Sequence, residues 1–319
     1  MQHMTPQSFR LAIIIPTKNR LQALTQLLES ISRLTELDTI RPQVIVADNN
    51  SADNTCHAVG SMAKRFPTPM EVLKVARPGK SAAINEAAKF ASGDVLAFVD
   101  DDVVVDKTWL AAVRDFFRNA EYQVGQGVIR LATPEHHDPE VLTLVERYRT
   151  IPRLEHQPNL KTLHSLNGAN VFVSRDVFDR VGGFDERLGP GASGTSEDVD
   201  FARRVTGLGI TIGYAPRAVV YHRVDRHRLT EEYFKASHRR QGASRFLIRR
   251  HSSATICLNL VRAAAQYGFY TASGRERERY RSKGRIYHYL GMLAAKQNHI
   301  DRRPPAKTKE GVNPSSSRR

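Results

Sequence analysis

Over the first hundred residues, short apolar runs rich in β-branched side chains alternate with stretches of helical period. Four of these runs predict strands, at residues 11–15 (LAIII), 44–47 (VIVA), 71–75 (EVLKV) and 95–99 (VLAFV). Between the first two, Leu21, Leu24, Leu27, Leu28, Ile31 and Leu34 recur at helical spacing and form one apolar stripe. Between the last two, Ser81 is placed to cap a helix that buries Ile84, Ala87, Ala88 and Ala91. Strands about 25 to 35 residues apart with helices between them build a mainly parallel, doubly wound α/β sheet, and such sheets bind ligands at the carboxyl ends of their strands. The loops after the strands are where chemistry is expected.

Farther on, a helix after Asp106 and a strand at 124–131 lead into a looser stretch, 133–166, punctuated by Pro134, Pro139, Pro152 and Pro158. Regular patterning resumes near Asn167 and continues to a strand ending at His222. Basic helical stretches then predict helices at 229–250, 254–271 and 276–299, the last with an apolar face of Ile286, Leu290, Leu293 and Ala294. The implied organisation is an N-terminal tail (1–9), an α/β domain (10–222), a basic helical extension (223–299) and a disordered tail (300–319) whose apolar content is too low to fold. Residues 1–10 lack the apolar centre of a signal peptide. The stretch 254–270 is interrupted by Asn259, Arg262 and Gln266 and falls short of the roughly 20 apolar residues a spanning helix needs. No transmembrane segment is predicted.

Composition changes this picture in one respect. With 319 residues, 40% hydrophobic and 25% charged, the chain can bury a substantial core, and its net charge of +15 suggests a polyanionic partner. That charge is unevenly spread: 25 basic and 26 acidic residues precede the boundary after His222, whereas 23 basic and 7 acidic residues follow it. The α/β domain is nearly neutral, and the excess belongs to the extension. Two cysteines, Cys56 and Cys257, rule out a disulfide framework and point to a reducing, cytoplasmic setting.

Candidate chemistry concentrates in three places. In FVDDDV, a buried strand ends in Asp100, Asp101 and Asp102, and in extended chain Asp100 and Asp102 share a face on which one hard divalent cation could bind; the plain alternative is a solvated turn. In VIVADNNSAD, Asp48 follows a strand and Asn49, Asn50 and Ser51 supply a polar loop suited to a base or ribose, or simply to a turn. In SEDVDFARR, Ser196 is placed to cap a helix with Glu197 and Asp198 in its first turn, where acids complement the helix dipole or supply a general base. The preceding LGPGASGTS is glycine-rich enough to close over a substrate. After the first strand, Asn19 is a helix cap and Lys18 or Arg20 an anion contact. The GKS at 79–81 lacks the phosphate-loop spacing, since the earlier glycine would fall at Lys74, so an ATPase reading is discarded; Lys80 at a helix start still suits a phosphate. A lone His222 is structural or a metal ligand.

Taken in order, IIIPTKNR, VIVADNNSAD, GKSAAIN, FASGDVLAFVDDDV, NGANVFVSRDVFDRVGGFDE, SEDVDFARR and VVYHR resemble the family 2 glycosyltransferases of the GT-A fold, over about residues 10–222. The resemblance implies an inverting transfer of a sugar from a nucleoside-diphosphate donor to a saccharide or lipid-linked acceptor, as in cell-envelope polysaccharide synthesis. It implies a nucleotide pocket of Pro16, Thr17, Asn19, Arg20, Asp48, Asn50, Lys80, Asn85, Asp100 and Asp101, and a Mn²⁺ or Mg²⁺ ion on Asp100, Asp102 and His222. Asp198, with Glu197 beside it, corresponds to the catalytic base, and Asn170, Gly183, Phe184 and Asp185 are expected at the acceptor. Lys18 stands where an aromatic residue is frequent, and the last 97 residues match no general feature of the fold.

Two rival readings stand beside it. Asp100, Asp102 and Val104 fit the D-x-D-x-T/V motif of haloacid-dehalogenase-like phosphatases, but about ninety patterned residues precede it and no late Lys with an acid pair follows. A catalytically inactive binding module is the other. For the extension, Arg239, Arg240, Arg245, Arg249 and Arg250 beside Phe246, Leu247 and Ile248 suggest a basic amphipathic helix on anionic lipid, in preference to nucleic acid, and hence peripheral membrane contact.

Overall fold

The early apolar runs become β1 (Leu11–Thr17), β2 (Gln43–Asp48), β3 (Met70–Lys74) and β4 (Val95–Val99), separated by α1 (Leu21–Ser32), α2 (Leu37–Ile40), α3 (Thr55–Ala63) and α4 (Lys80–Phe90). The computed structural model describes residues 9–118, 121–132 and 138–301, so the expected tails at 1–9 and 300–319, save residues 9, 300 and 301, lie outside the described residues. β1 pairs in parallel with β2 and β4, and β2 with β3. β1 and β4 are buried on both faces, which explains why each reads as an unbroken apolar run. Leu24, Leu27, Leu28 and Ile31 of α1 cover the face carrying Ile13 and Ile15, while Ala83, Ile84, Ala87 and Ala88 of α4 cover the face carrying Ala12 and Ile14.

The chain continues through β5 (Val103–Val105), α5 (Trp109–Arg118), β6 (Val124–Leu131), α6 (Pro139–Tyr148), β7 (Thr162–Leu163), β8 (Asn170–Ser174), α7 (Arg175–Val181), α8 (Glu197–Gly207) and β9 (Ile212–His222). One sheet results, ordered β3-β2-β1-β4-β8-β6-β9-β5, with β7 also paired to β9. β8 is antiparallel to both β4 and β6, whereas β6 and β9 are parallel. Strand order reverses between β1 and β4, where an α/β sheet opens a crevice at its carboxyl edge. Thr17, Asp48 and the Asp100–Asp102 turn all lie on that edge.

After β9 come a 3₁₀ turn (Arg226–Leu229) and three helices, α9 (Glu231–Ile248), α10 (Ser253–Ala272) and α11 (Glu276–Asp301). α11 packs along both α9 and α10. Leu229 and Phe234 join Val141, Val145 and Tyr148 of α6 in one apolar cluster, so the extension is seated on the sheet domain. Phe246, expected on the outer face of a basic amphipathic helix, is buried with Ile256 and Met292. Among the described residues no helix is long and apolar enough to cross a membrane.

Two of the predicted helix caps fail because neighbouring loops claim their side chains. Arg20 is the N-cap of α1, and Asn19, left-handed at φ 54°, accepts a 2.6 Å bond from the Ala52 N–H. α4 starts after Gly79, and the Ser81 hydroxyl in its first turn donates to the Leu188 carbonyl at 2.9 Å. Ser196 precedes α8 at φ 74° and makes no side-chain cap.

Candidate active site

Two adjoining cavities open at the carboxyl edge of the sheet and share Lys80, Asp100, Pro190 and Arg228. The smaller, about 350 Å³, is bounded by Pro16, Thr17, Lys18, Asn19 and Arg20 after β1, by Asn49 after β2, and by Asp100, Asp101 and Asp102 after β4. The larger, about 1000 Å³, carries Glu197 and Asp198 on one wall and Tyr233, His238 and Arg240 of α9 on another.

The three aspartates do not stay extended. The chain turns at Asp101–Asp102, and the carboxylates fan out to different partners. Asp100 meets Lys80 Nζ at 2.6 Å. Asp101 accepts the Thr17 hydroxyl at 2.7 Å and one Arg20 N–H at 3.2 Å. Burial and the like charge of Asp102 raise its pKa to about 6, with Arg20 opposing. Asp102 is bonded through Oδ2 to Arg20 (2.7 Å) and Arg228 (3.0 Å), and its Oδ1 lies 3.3 Å from His222 Nε2. Burial alone would raise Asp102, but His222, Arg228 and Arg20 outweigh it and hold the carboxyl at about 2.

His222 is buried, and its Nδ1 lies 2.8 Å from the Arg223 carbonyl, which can only accept, so Nδ1 carries a proton. Nε2 therefore faces a carboxylate oxygen at 3.3 Å, an arrangement that calls for a proton or a cation between them. Asp102 and His222 would offer a divalent ion one carboxylate oxygen and one imidazole nitrogen. Among the described residues no set of three or more His, Cys, Asp or Glu side chains is already gathered for a metal.

Asp198, the second residue of α8, keeps partial exposure to the larger cavity. Its Oδ2 accepts the Gly168 N–H at 3.0 Å and its Oδ1 the Val199 N–H at 2.8 Å, which orient the carboxyl. The enclosing protein and the neighbouring Glu197 raise its pKa to about 7, against the pull of Lys80. Glu197 itself is buried and lies 3.4 Å from Lys80 Nζ. Desolvation works against the Lys80 charge, yet Asp100 and Glu197 hold its pKa above the usual lysine value.

The glycine-rich segment before α8, expected as a closing lid, is bonded into the wall. The Lys80 N–H donates to the Pro190 carbonyl at 2.9 Å, Gly194 N–H to Gly189, and Ser193 Oγ lies 2.7 Å from Ser244 Oγ of α9. A Cβ on Gly191 would come within 2.9 Å of the Gly79 backbone, and Gly191 also has φ +86°, so glycine is required there.

Several predicted site residues lie elsewhere. Asn170 is fully buried with every amide valence spent: its Oδ1 accepts Trp109 Nε1–H and its Nδ2 donates to the Val128 and Ala218 carbonyls, each at 2.9 Å. It ties β8 to β6 and β9 and has nothing to offer an acceptor. Asn85 clamps Phe184, accepting its N–H at 2.9 Å and donating to its carbonyl at 2.8 Å, and lines neither cavity. Gly183 makes the turn after α7, Phe184 packs on Phe201 at 4.7 Å between ring centroids, and Asp185 is engaged by Arg187. All three lie outside the two cavities. Asn50 is an exposed left-handed turn residue; its neighbour Asn49 lines the smaller cavity and receives the Gly79 N–H at 2.8 Å. Asp48 is buried at the strand end, its Oδ1 bonded to the N–H and hydroxyl of Ser51 and its Oδ2 without a hydrogen-bond partner.

Arg228 and the α9 side chains were missed. They belong to a stretch whose only sequence cue is positive charge, and no motif distinguishes Arg228 from the other arginines of the extension.

Comparison with known proteins covers the strand ends of this site, while Asp198, His222 and Arg228 lie beyond the family match. The family model described as Glycosyl transferase family 2 matches residues 12–182. Glycosyltransferase AglE of Haloferax volcanii is 26% identical over 216 residues, covering 66% of each chain, so just under two thirds of that protein's length is represented. Succinoglycan biosynthesis protein ExoM of Rhizobium meliloti is 25% identical over 251 residues, 77% of this chain and 78% of that one. Among solved structures, mannosyltransferase PcManGT from Pyrobaculum calidifontis, in complex with GDP-Man and Mn²⁺, superposes with a TM-score of 0.59 over 92% of this chain and 88% of its own at 20% identity, which shows a common GT-A fold.

Proposed function

The chain belongs to glycosyl transferase family 2 and is a glycosyltransferase, and from that premise we propose that it moves a sugar from a nucleoside diphosphate to an acceptor hydroxyl with inversion, Asp198 acting as general base. The observation that carries this reading is Asp198 itself. It is an oriented carboxylate facing a cavity large enough for two sugars, with a pKa near 7 that suits proton transfer at neutral pH. The acceptor oxygen attacks the anomeric carbon, its proton passes to Asp198, and the bond from that carbon to the diphosphate oxygen breaks. One in-line displacement inverts the centre.

The smaller cavity takes the nucleoside diphosphate, with Pro16, Thr17, Asn19 and Arg20 along it and Asn49 after β2. Asp48, expected at the base, is fully buried and lines neither cavity; it holds the turn after β2 through Ser51. Arg20, Lys80 and Arg228 carry positive charge to the diphosphate. Asp102 and His222, with Asp100 of the same D-x-D motif, would hold Mn²⁺ or Mg²⁺. When bound, that ion offsets the charge developing on the leaving diphosphate. Glu197 is a positioning residue that keeps Lys80 in place.

GDP-Man in the Pyrobaculum mannosyltransferase makes a GDP-sugar the first donor to try. The acceptor is a saccharide or lipid-linked saccharide of the cell envelope, a reading supported by the succinoglycan protein. The enzyme works on the cytoplasmic side, against an anionic membrane. The phosphatase alternative has no support in the site, where Asp100 is bonded to Lys80 and the family match begins at residue 12.

The test uses the slow hydrolysis of donor that water in the acceptor position permits. With Mn²⁺ and GDP-mannose or UDP-sugars, release of GDP or UDP is expected together with a sugar of inverted configuration, read by NMR before mutarotation. Release with retained configuration would refute the single displacement.

A further inference from the structure

We propose that the outward face of α10 (Ser253–Ala272) is the surface by which this protein docks on an anionic lipid bilayer. The inference rests on the reading of the basic extension as a membrane contact and moves that contact to a different helix.

α10 is apolar on two sides. One side, with Ile256 and Ala263 almost fully buried, packs on α11. Leu258, Val261, Ala265 and Phe269 recur at i, i+3, i+7 and i+11 and so share the opposite side. Leu258 is 51% exposed, Val261 66% and Phe269 64%. A second apolar side left uncovered on a packed helix marks an interaction surface. Helix propensity gives no reason for Leu, Val and Phe to stand in water there.

Charge identifies the occupant. From Tyr233 to Arg275 the chain contains eight Lys and Arg and no Asp or Glu. Arg262 is exposed on α10 beside the strip, Arg285 reaches one flank of the helix to donate to Gln266 at 3.0 Å, and Lys296 reaches Ser253 at 2.6 Å. An apolar strip edged by cations with no carboxylate on its helix matches an anionic headgroup layer over acyl chains.

The expected occupant is tested with the full chain and two kinds of vesicle, phosphatidylglycerol-containing and pure phosphatidylcholine. Binding to the anionic vesicles in flotation is expected, weaker in 0.5 M salt by roughly tenfold as the cations are screened, and weaker by at least about tenfold in Val261→Asp/Phe269→Ser, which removes apolar area the bilayer would cover. Both residues are exposed, so that variant should keep the wild-type melting curve; Leu208→Asp, at an exposed apolar site on α8's end, should leave vesicle binding unchanged. No preference for anionic vesicles, or equal binding by the double variant, overturns the proposal. So does a concentration-dependent dimer, seen by light scattering and lost in the double variant, that binds no vesicles, because a second copy would then cover α10. Nucleotide binding measured in parallel keeps the two readings separate: loss of vesicle binding leaves the transferase assignment intact, and failure to bind any nucleotide leaves the docking result intact.

Discussion

Replacing Asp198 by Asn removes the proposed base while preserving the shape of the side chain. With a pKa of about 7, Asp198 is about half ionised at pH 7, roughly a tenth at pH 6 and roughly a hundredth at pH 5. The ionised form is the active one, so wild-type kcat/KM should fall about tenfold per unit below pH 7 and level off above pH 8. A positioned general base contributes about 10² to 10⁴ in rate, or about 2.7 to 5.5 kcal/mol. Asp198→Asn should therefore lose that factor at pH 8 together with the ascending limb of the profile. Lys80→Met should move the midpoint upward, because the Lys80 charge now pulls the Asp198 pKa down. The raised pKa also costs stability. A carboxyl whose folded value exceeds its unfolded one favours the fold fully below pH ~4 and loses that contribution as pH rises through about 7. Initial rates of nucleoside diphosphate release between pH 5 and 9 provide the assay. A flat wild-type profile, or an Asn variant retaining more than about a tenth of the rate, would refute the assignment of the base.

Three other substitutions separate chemistry from structure. Asp102→Ala should weaken nucleotide binding in Mn²⁺ far more than in chelator, by calorimetry, since it deletes the carboxylate opposite His222; equal losses in both would count against a cation there. Asn170→Ala should lower stability by about 3 kcal/mol or more, because it strands the Val128 and Ala218 carbonyls and the Trp109 N–H in the core; chemical denaturation would measure it, and an unchanged midpoint would contradict the bonding described. Asn85→Ala should reduce the melting temperature through loss of its two Phe184 bonds while leaving the nucleotide Kd unchanged, and a weakened Kd with normal stability would restore it to the binding site.

The parallel half of the fold was legible because β1, β2 and β4 are buried on both faces and interrupted by an amphipathic helix and an alanine-rich one. Strand ends follow directly from those runs, which places Thr17, Arg20 and Asp100 to Asp102 at the carboxyl edge of the sheet, and the acidic run from Glu197 marks the start of α8, where Asp198 stands. Amide side chains were harder. Asn49 and Asn170 occur in turn-like contexts and Asn85 within a helix, but what each does depends on backbone groups well away in sequence; Asn170 reaches carbonyls 42 and 48 residues distant. Asn49 and Asn50 are adjacent, and only the left-handed turn decides which faces the cavity. The helices and net charge of the extension were legible, while the placement of Arg228 on Asp102 and of α9 along the larger cavity was not.

The most direct test is a thermal-shift comparison of GDP-mannose, UDP-glucose and UDP-N-acetylglucosamine, each with Mn²⁺ and with chelator. A ligand at a hundredfold excess over its Kd stabilises the native state by about 2.7 kcal/mol, enough to raise the melting temperature by several degrees. The account predicts such a rise for at least one nucleotide sugar, greater with Mn²⁺ and lost in Asp102→Ala. Identical melting curves for all three donors at saturating concentration, with and without Mn²⁺, would contradict it.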